Sequence, residues 1–571
     1  MCGIVGYAGN IETACGKPLE VCLQGLERLE YRGYDSAGVA LTAPGMDKVV
    51  VRKKAGRLKN LVEDIERKPM PLATVGIGHT RWATNGEPSD VNAHPHTSMD
   101  GKVAIIHNGI IENASQLRLD LQAEGYRFAS ATDTEVAAKL LGKIVDKIIA
   151  DEGKPDLFKA VRRMARMLEG AFTILATDCR QPDIVVGARH DSPLVVGLGE
   201  GENFLGSDVA AFVAYTKRAM EVDQDQAVCV SADKVIVADF NGNVVENPKT
   251  YTVDWDASAA EKGGWDSFMD KEIHEDPAAV QRTLLGRFDT NGGITLDEVR
   301  IDEHDFKAID KIIVVACGTA SYAGQVAKYA IEHWVRIPVE IELAHEFRYR
   351  DPILTPRTLV VAISQSGETM DTLMALRHAR EQGSKVLAIC NTQGASIPRE
   401  SDAVLYTHAG PEVAVASTKA FVAQITAAYL LGLYLAQVKG AMFRDEIHQV
   451  LDSLKDMPRK IQWVLDTQPK TIQAAAERMV NANSFLFLGR HVGYPVALEG
   501  ALKLKEIAYT FTEGFAAGEL KHGPIALVDE GEPVVFIVPP QRGRNVLHAK
   551  VISGIEEVKA RGAYIIAVAE Q

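Results

Sequence analysis

The stretch LVVAISQSG, residues 359–367, decides the fold of the second half of this chain. It is an apolar run of strand length that ends in small polar residues, and a helical pattern follows it at 370–382. The same order occurs upstream, where KIIVVACG at 311–318 precedes a helical pattern at 321–335, and the strand KVLAICN follows at 385–391. Because buried strands alternate with helices, the pattern predicts an α/β fold with a parallel sheet.

A similar unit recurs later in the chain. SFLFLGR at 484–490 precedes a helical pattern at 494–508, PVVFIVPP at 533–540 precedes one at 544–561, and AYIIAVAEQ at 563–571 comes last. Corresponding strands of the two copies are about 173 to 178 residues apart, which indicates a repeat at the scale of a domain rather than a solenoid.

The second copy is shorter than the first. In the first copy, the strand at 385–391 is followed by AVLYTHA at 403–409 and by a long helical pattern at 417–437. The second copy stops at Gln571, on the strand that corresponds to 385–391. We therefore expect it to be incomplete at its C-terminus, either because the chain is truncated or because something else closes that half.

The first half of the chain has a different pattern. Strands with two-residue alternation, such as GIVGYAG at 3–9 and VAIIHNG at 103–109, are separated by helical stretches at 17–29 and 134–149. Further strand pairs follow, which predicts an α+β domain with mainly antiparallel sheets. Residues 241–290 are largely polar and rich in turn-forming residues, and we interpret them as a linker.

The composition excludes several classes of function. The 571 residues include 62 Lys and Arg against 76 Asp and Glu, and the net charge of −14 argues against nucleic acid or an anionic membrane as the main partner. We expect neither a transmembrane span nor a signal peptide, and the apolar stretch 420–436 is interpreted as a buried core helix. Seven scattered cysteines without a CxxC pair predict neither disulfides nor a zinc site, and they favour a cytoplasmic location.

Cys2 is the first candidate catalytic residue. Removal of Met1 would leave Cys2 with both a thiol and a free α-amine, and an amine with a pKa of about 8 can serve as the base that activates the thiol. The alternative is a small buried cysteine without a chemical role.

Four motifs accompany Cys2: LEYRGYDSAG at 29–38, GHTRWATNGEPSDVNAHPH at 78–96, HNGIIEN at 107–113 and ATDTEV at 131–136. In this order they resemble the class II glutamine amidotransferase domain over about residues 2–240. The resemblance implies an N-terminal nucleophile (Ntn) sandwich in which Cys2 attacks the side-chain amide of glutamine, forms a thioester and releases ammonia.

The same resemblance implies the other roles at this site. Asn108 and the backbone N–H of Gly109 would form the oxyanion hole, and Arg81 and Asp133 would hold the two charged ends of glutamine. The remaining glutamine-binding residues implied by the resemblance are Trp82 and Thr84, on a loop that closes over the site, and His94.

Four histidines in these motifs leave a metal site as an alternative. They are His79, His94, His96 and His107. Neither a carboxylate nor a thiol stands at metal-ligand spacing, so hydrogen-bonded loop histidines are the favoured interpretation and no metal is expected.

ISQSGET at 363–369 is a candidate phosphate cradle. It follows a strand and opens a helix, where hydroxyl and amide groups add to the free N–H groups of the helix start. The turns in ACGTASYAG at 316–324 and VASTKAF at 415–421 are similar, and together they suit a small phosphorylated ligand. A plain helix cap is the alternative, and the missing GK[ST] excludes a nucleotide P-loop.

EGALKLKE at 499–506 places Glu499, Lys503 and Glu506 on one helix face. The alternative to a site is a surface ladder of ion pairs, but apolar neighbours favour partial burial and pKa values suited to proton transfer. His522 follows in the Gly-bounded loop AAGELKHGP at 516–524.

These motifs resemble the paired sugar isomerase (SIS) domains of the glutamine–fructose-6-phosphate aminotransferase family. The predicted domains are therefore an amidotransferase domain at 2–240, a linker at 241–290, and α/β SIS domains with parallel sheets at 291–440 and 455–571. The family implies glutamine and fructose 6-phosphate as substrates, a homodimer and no cofactor. One departure is that this sequence has no counterpart of the C-terminal tail whose lysine forms a Schiff base with the sugar in the family.

By this resemblance, Glu506 is the base that moves a proton between C1 and C2 of the sugar, Lys503 assists it, and His522 opens the ring from the partner subunit. The sugar-phosphate-binding residues implied by the resemblance are Thr319, Ser364, Gln365, Ser366, Thr369, the carbonyl of Val415, and Glu499.

Three functions account for some or all of these motifs. The first is the transfer of ammonia from glutamine to fructose 6-phosphate, with glutamine hydrolysis alone as its reduced form. The second is an amidotransferase with another acceptor, but the acidic pyrophosphate motif or ATP-pyrophosphatase loop that it needs is not visible. The third is a sugar-phosphate sensor, which does not need a nucleophile at Cys2.

Overall fold

A computed structural model describes residues 2–10, 16–30, 33–83, 85–253, 262–289, 292–296, 298–541 and 546–570. The chain divides between Gly263 and Gly264 into two compact units.

The first unit contains fourteen described strands and five described α-helices. The strands are β1 Gly3–Gly9, β2 Ser36–Thr42, β3 Val50–Ala55, β4 Val75–Arg81, β5 His96–Thr97, β6 Val103–Gly109, β7 Phe172–Asp178, β8 Gln181–His190, β9 Val195–Leu198, β10 Glu202–Gly206, β11 Arg218–Glu221, β12 Gln226–Val230, β13 Val235–Asp239 and β14 Thr250–Thr252. The helices are α1 Lys17–Leu29, α2 Leu58–Arg67, α3 Ala114–Ala123, α4 Asp133–Glu152 and α5 Leu157–Ala165.

These elements form two antiparallel sheets that face each other. One has the strand order β14-β11-β9-β10-β1-β4-β2-β3 and the other β13-β12-β8-β7-β6-β5. An apolar core that includes Ile4, Ile77, Ile106 and Val228 lies between the sheets. Helices α1 and α2 pack on the outer face of the first sheet, and α4 and α5 on that of the second. The predicted α+β Ntn sandwich with antiparallel sheets is confirmed.

The strand ends of this unit bring the predicted amidotransferase motifs together. β1 begins directly after Cys2 and pairs with β4, with Gly3 opposite Thr80 at the end that carries Arg81. β6 of the other sheet ends at Gly109, and α4 begins at Asp133. The motif residues therefore converge from three strands of two sheets and from the start of α4.

The second unit contains nine described strands and thirteen described α-helices. The strands are β15 Lys311–Ala316, β16 Val339–Leu343, β17 Thr358–Ser364, β18 Lys385–Cys390, β19 Ala403–Tyr406, β20 Ser484–Gly489, β21 Phe511–Ala516, β22 Pro533–Ile537 and β23 Tyr564–Val568. The helices are α6 Phe268–His274, α7 Asp276–Leu284, α8 Glu303–Ala308, α9 Gly318–Val335, α10 Ala344–Arg350, α11 Met370–Glu381, α12 Ser396–Glu400, α13 Lys419–Lys439, α14 Arg444–Lys455, α15 Met457–Thr467, α16 Pro469–Arg478, α17 Gly493–Ala508 and α18 Val546–Lys559.

The strands form two parallel sheets, as predicted. The orders are β16-β15-β17-β18-β19 and β21-β20-β22-β23. Each copy sends its second strand, β16 or β21, to an edge of its sheet, so the repeat inferred from the sequence is present in the strand order. The sequence did not predict these two edge strands.

Part of the segment interpreted as a linker, 241–290, has regular structure. β14 pairs with β11 in the first unit, whereas α6 and α7 belong to the second unit. Val280 and Leu284 of α7 are buried in the core of the first parallel sheet. The segment is therefore not a linker along its whole length, because its apolar residues belong to both units.

Helix α13 is the one helix among the described residues that is long and apolar enough to cross a membrane. Most of it is buried inside the second unit, where Leu430, Leu431 and Leu433 belong to the same core as the strands. The interpretation of 420–436 as a core helix is confirmed.

Candidate active sites

Cys2 is half-buried at the start of β1, with its thiol against the loop that follows β4. The N–H of Trp82 points at Sγ at 3.2 Å, and Sγ lies 3.6 Å from the carbonyl oxygen of Trp82. Burial raises the pKa of the Cys2 thiol, and the N–H of Trp82 and the nearby positive charge offset part of this effect. The thiol is therefore protonated at rest and needs a base to become a nucleophile.

Asn108 and Gly109 end strand β6 beside the nucleophile. Nδ2 of Asn108 donates to the carbonyl oxygen of Cys2 at 2.7 Å. Gly109 has a φ of +122°, and a Cβ there would lie 2.0 Å from the carbonyl oxygen of Ala171, so only glycine fits. The structure thus brings the three predicted catalytic residues of this unit together.

The four histidines form a buried group behind Asn108. Nε2 of His79 lies 3.0 Å from the carbonyl oxygen of His107 and 3.1 Å from Oδ1 of Asn108. The ring of His94 lies against that of His79 at a tilt of 32°, with the ring centres 4.2 Å apart, and His96 contacts His94 edge-on at 5.2 Å. Burial lowers the pKa of all four, that of His79 to about 3, so all are neutral. Among the described residues, no group of three His, Cys, Asp or Glu could hold a metal.

The residues predicted to hold glutamine differ in how many of their hydrogen-bonding groups have a partner. Nη2 of Arg81 donates to the carbonyl oxygens of Asn85 and Gly86, but the buried Nη1 has no partner among the described residues. Asp133, at the start of α4, accepts from the N–H groups of Ile111 and Thr134. Arg81 therefore keeps a buried donor for a ligand carboxylate.

The loop after Arg81 is held in place from the neighbouring turn. Oδ2 of Asp35 accepts from the N–H of Ala83 at 2.8 Å, and the ring of Tyr34 contacts that of Trp82. Trp82 itself is 43% exposed, as expected of a residue on a loop that closes over a ligand. Thr84 lies outside the described residues.

Lys53 supports the segment that carries His94. It stands on β3, and its Nζ donates to the carbonyl oxygens of Ala93, Val91 and Pro95 at 2.6, 3.1 and 3.2 Å. Burial lowers its pKa to about 8. The sequence did not indicate these contacts of Lys53, because the charged strand VVRKKA is typical of a solvent-exposed strand.

In the second unit, the predicted phosphate cradle lies between β17 and α11. Oγ of Ser364 accepts from the N–H of Gly367 at 3.1 Å and is 3.0 Å from Oγ1 of Thr369, and Oγ of Ser366 accepts from the N–H of Glu368. Gly367 has a φ of +65°, and a Cβ there would lie 2.6 Å from Cβ of Ala395. The hydroxyl groups are thus gathered at the start of a helix, where the first backbone N–H groups have no acceptor within the helix.

Gln365 anchors this turn to the next strand. Its carbonyl oxygen accepts from the N–H groups of Asn391 and Thr392, which follow β18. Since β15, β17 and β18 are parallel neighbours, the turns after them lie at one edge of the sheet.

Thr319, in the first turn of α9 directly after β15, connects this edge to helix α17. Its Oγ1 donates to Oε1 of Glu499 at 3.0 Å and accepts from Nζ of Lys503 at 2.9 Å. Lys503 also forms an ion pair with Glu506 at 2.7 Å. Burial raises the pKa of Glu499 to about 7. The predicted acid–base residues are therefore adjacent, as the helix spacing implied.

Two predicted residues stand apart from this group. Val415 is 46% exposed in the loop between β19 and α13. His522 is exposed in a short 3₁₀ helix, Glu519–His522, and among the described residues it makes no hydrogen bond to the group around Lys503.

The loop that carries Val415 is fixed by two buried carboxylates that the sequence did not indicate. Glu272 of α6 accepts from the N–H groups of Val413 and Ala414 at 2.6 and 3.1 Å. Glu412 accepts from the N–H of Thr418 at 2.9 Å. Burial and the neighbouring Glu412 raise the pKa of Glu272 to about 7. A glutamate in a polar segment gives no sequence signal of such burial.

Two family models match the chain. Residues 79–214 match the glutamine amidotransferase domain, and residues 306–434 and 478–571 match the SIS domain. A solved C-terminal domain of glucosamine-fructose-6-phosphate aminotransferase from Francisella tularensis is 40% identical, with a TM-score of 0.52; the match covers 54% of this chain and 85% of that one.

Curated relatives cover the whole chain. Glutamine–fructose-6-phosphate aminotransferases (isomerizing) from Corynebacterium efficiens and Corynebacterium diphtheriae are 63% and 62% identical over 100% of this chain and 90% and 91% of their own lengths. The enzyme of that name from Mycobacterium tuberculosis is 53% identical, again over 100% of this chain and 90% of its own length. With both halves accounted for by one set of relatives, the chain belongs to the glutamine–fructose-6-phosphate aminotransferase (isomerizing) family.

Proposed function

We propose that this chain transfers the amide nitrogen of L-glutamine to D-fructose 6-phosphate and yields L-glutamate and D-glucosamine 6-phosphate, the first step of hexosamine synthesis. The observation that carries the proposal is that one chain combines the Cys2–Asn108 pair in its first unit with the Thr319–Glu499–Lys503 group in its second. A glutaminase needs only the first of these, and a sugar-phosphate sensor only the second.

In the first half-reaction, the Cys2 thiol adds to the side-chain carbonyl carbon of glutamine. The α-amine that Cys2 gains when Met1 is removed takes up the thiol proton. The negative charge that forms on oxygen is stabilised by Nδ2 of Asn108 and the N–H of Gly109. Collapse of this intermediate expels ammonia, and water then hydrolyses the thioester to glutamate and restores the thiol.

Glutamine is held by its charged ends. The unpartnered Nη1 of Arg81 supports binding of the α-carboxylate, and Asp133 binds the α-ammonium. Trp82 and Thr84 close over the ligand, and His94 packs near it. These assignments match a zwitterionic substrate with a neutral side chain.

In the second half-reaction, fructose 6-phosphate binds at the edge formed by the turns after β15 and β17. Ser364, Gln365, Ser366 and Thr369 bind the phosphate at the start of α11, and Thr319 and the carbonyl of Val415 contact the sugar. Ammonia released at Cys2 adds to the C2 carbonyl carbon of the open-chain sugar, and the C2 oxygen leaves as water. Glu506, assisted by Lys503 beside Glu499, then moves a proton from C1 to C2 and produces the amino sugar.

His522 opens the sugar ring from the partner subunit of a homodimer. The exposed position of His522 supports this role, since it leaves the side chain free to reach another chain.

Helices α15 and α16 contain no buried residue, and Trp463, Ile472 and Phe511 are 46%, 61% and 65% exposed. Exposed apolar side chains of this kind are typical of association surfaces. The free Cys2 thiol is consistent with a cytoplasmic location.

The test is one assay with two readouts. The purified chain receives glutamine and fructose 6-phosphate, and glutamate and glucosamine 6-phosphate are quantified separately. We expect both products in about equal amounts, because each ammonia comes from one glutamine. Cys2→Ala should form neither product and still bind fructose 6-phosphate, whereas Glu506→Gln should form glutamate alone. Glutamate alone from the unmodified chain would indicate a glutaminase, and the absence of both products would overturn the proposal.

A further inference from the structure

The side-chain amide of Asn108 is held in one of its two orientations. Its Nδ2 donates to the carbonyl oxygen of Cys2 at 2.7 Å, and its Oδ1 lies 3.1 Å from Nε2 of His79. An amide nitrogen has two hydrogens, so this bond to Cys2 leaves a second N–H for a substrate oxygen. Rotation of the amide by 180° would present an oxygen atom instead, and two oxygens would then face each other.

The neighbours of His79 decide which of its nitrogens carries the proton. Nε2 is within hydrogen-bond distance of two oxygens, the carbonyl of His107 at 3.0 Å and Oδ1 of Asn108. Both are acceptors only, so Nε2 must be the donor. Nδ1 is buried and has no partner in the part of the chain that the structure describes, which agrees with an uncharged ring that carries its single proton on Nε2.

His79 itself cannot move easily. It lies inside β4, opposite Ile4 of β1 and Gly38 of β2, and its side chain is fully buried. The tilted ring of His94 packs against it, with the ring centres 4.2 Å apart. The proton on Nε2 is therefore held at a defined position relative to Asn108.

We propose that His79 is a positioning residue of the glutaminase half-reaction: its Nε2–H binds Oδ1 of Asn108 and so keeps the amide N–H turned toward the nucleophile. The inference rests on the proposed role of Asn108 in the oxyanion hole. Without His79, only the bond to the Cys2 carbonyl orients the amide, and an oxygen in place of the N–H would repel the charge of the intermediate. Since loss of one such donor lowers kcat about 10²-fold to 10³-fold, we expect His79→Phe to lower kcat on the order of 10-fold to 100-fold.

The experiment is a double-variant cycle on the full chain, with glutamate release as the readout. His79→Phe removes the donor at similar volume, and His79→Gln can replace the N–H and should recover part of the rate. The KM for glutamine should change little in both, because Oδ1 of Asn108 does not contact the substrate. The matched control is His96→Phe, which removes a ring of the same group that bonds Thr132 rather than Asn108.

The decisive comparison is between His79→Phe alone and His79→Phe in the background of Asn108→Ala. If His79 acts through Asn108, the second substitution adds less than about twofold to the loss already caused by Asn108→Ala. Full additivity, or equal losses in His79→Phe and His96→Phe, would overturn the proposal and show a merely structural role. Should the unmodified chain release no glutamate, the proposed function itself fails, which is a separate outcome.

Discussion

Thr319 donates its hydroxyl hydrogen to Oε1 of Glu499 at 3.0 Å, although 180 residues separate the two in the chain. Thr319 belongs to the first turn of α9, which follows β15 of the first parallel sheet, and Glu499 to helix α17 beside the second. The hydroxyl also accepts from Lys503, so one small side chain joins a turn of the first copy to the acid–base face of the second. The proposed sugar site therefore depends on the packing of the two copies and cannot be assigned to either alone.

Replacement of Thr319 by valine tests this link. Valine has nearly the same shape, but it leaves Oε1 of Glu499 and Nζ of Lys503 without the bridging hydroxyl. Because hydrogen bonds to charged groups contribute about 1.5 to 3 kcal/mol, we expect the KM for fructose 6-phosphate to rise on the order of 10-fold. Steady-state kinetics would measure this rise. Thr319→Ser, which keeps the hydroxyl, should stay near the parent value, and glutamate release should not change in either variant; an unchanged KM in Thr319→Val would contradict the role of the bridge.

Glu499 should make the stability of the second unit depend on pH. Burial raises its pKa from 4.5 to about 7, so the folded state binds this proton more tightly than the unfolded state does. Its contribution to the free energy of unfolding is complete below pH 4.5 and is lost as the pH rises through 7, with a change of up to about 3 kcal/mol. Glu499→Gln lacks this titration.

Thermal unfolding at several pH values measures the effect. The thermal midpoint of Glu499→Gln relative to that of the parent chain should increase between pH 5 and pH 8, because only the parent has a carboxyl that must ionise in a buried position. A constant difference at all pH values would mean that the substitution changes packing alone. Glu477→Gln, on the exposed helix α16, should leave the pH profile as it is.

Most candidate site residues could be predicted because their motifs follow strands, and buried strands are continuous apolar runs. Glu499, Lys503 and Glu506 were predicted instead from their spacing on one helix face. The edge strands β16 and β21 were missed for the opposite reason, since VEIEL and FTEGFA mix polar or small residues into the pattern. The bond from His79 to Asn108 could not be predicted, because it depends on how β4 of one sheet meets β6 of the other. The burial of Glu272 was likewise invisible, since its partners Val413 and Ala414 are more than 140 residues away.

Gly109 should tolerate no side chain. A Cβ at this position would lie 2.0 Å from the carbonyl oxygen of Ala171, in addition to the strain of a φ of +122°. Gly109→Ala should therefore abolish most glutaminase activity and destabilise the first unit by about 3 kcal/mol or more. Glutamate release and the thermal midpoint are the measurements.

Gly125 provides the matched control. It also has a positive φ, +92°, but a Cβ there meets nothing within 4 Å. Gly125→Ala should cost only the conformational strain of about 1 kcal/mol and keep its activity. Similar losses in both variants would mean that positive φ, rather than the contact with Ala171, makes Gly109 necessary.

Glu272 should affect fructose 6-phosphate but not glutamine. Its carboxylate accepts from the N–H groups of Val413 and Ala414 and is 2% exposed, so it fixes the backbone just before the proposed sugar contact at Val415. In Glu272→Gln, the amide turns an N–H toward one of these donors, and we expect a loss of about 1 to 3 kcal/mol in stability. The KM for fructose 6-phosphate should rise several-fold, while glutamate release remains at the parent rate. Asp270 is a half-exposed carboxylate on the same helix, and Asp270→Asn should change neither the stability nor the KM for fructose 6-phosphate. If Glu272→Gln lowers glutamate release as strongly as sugar turnover, the carboxylate does not act through the loop that carries Val415.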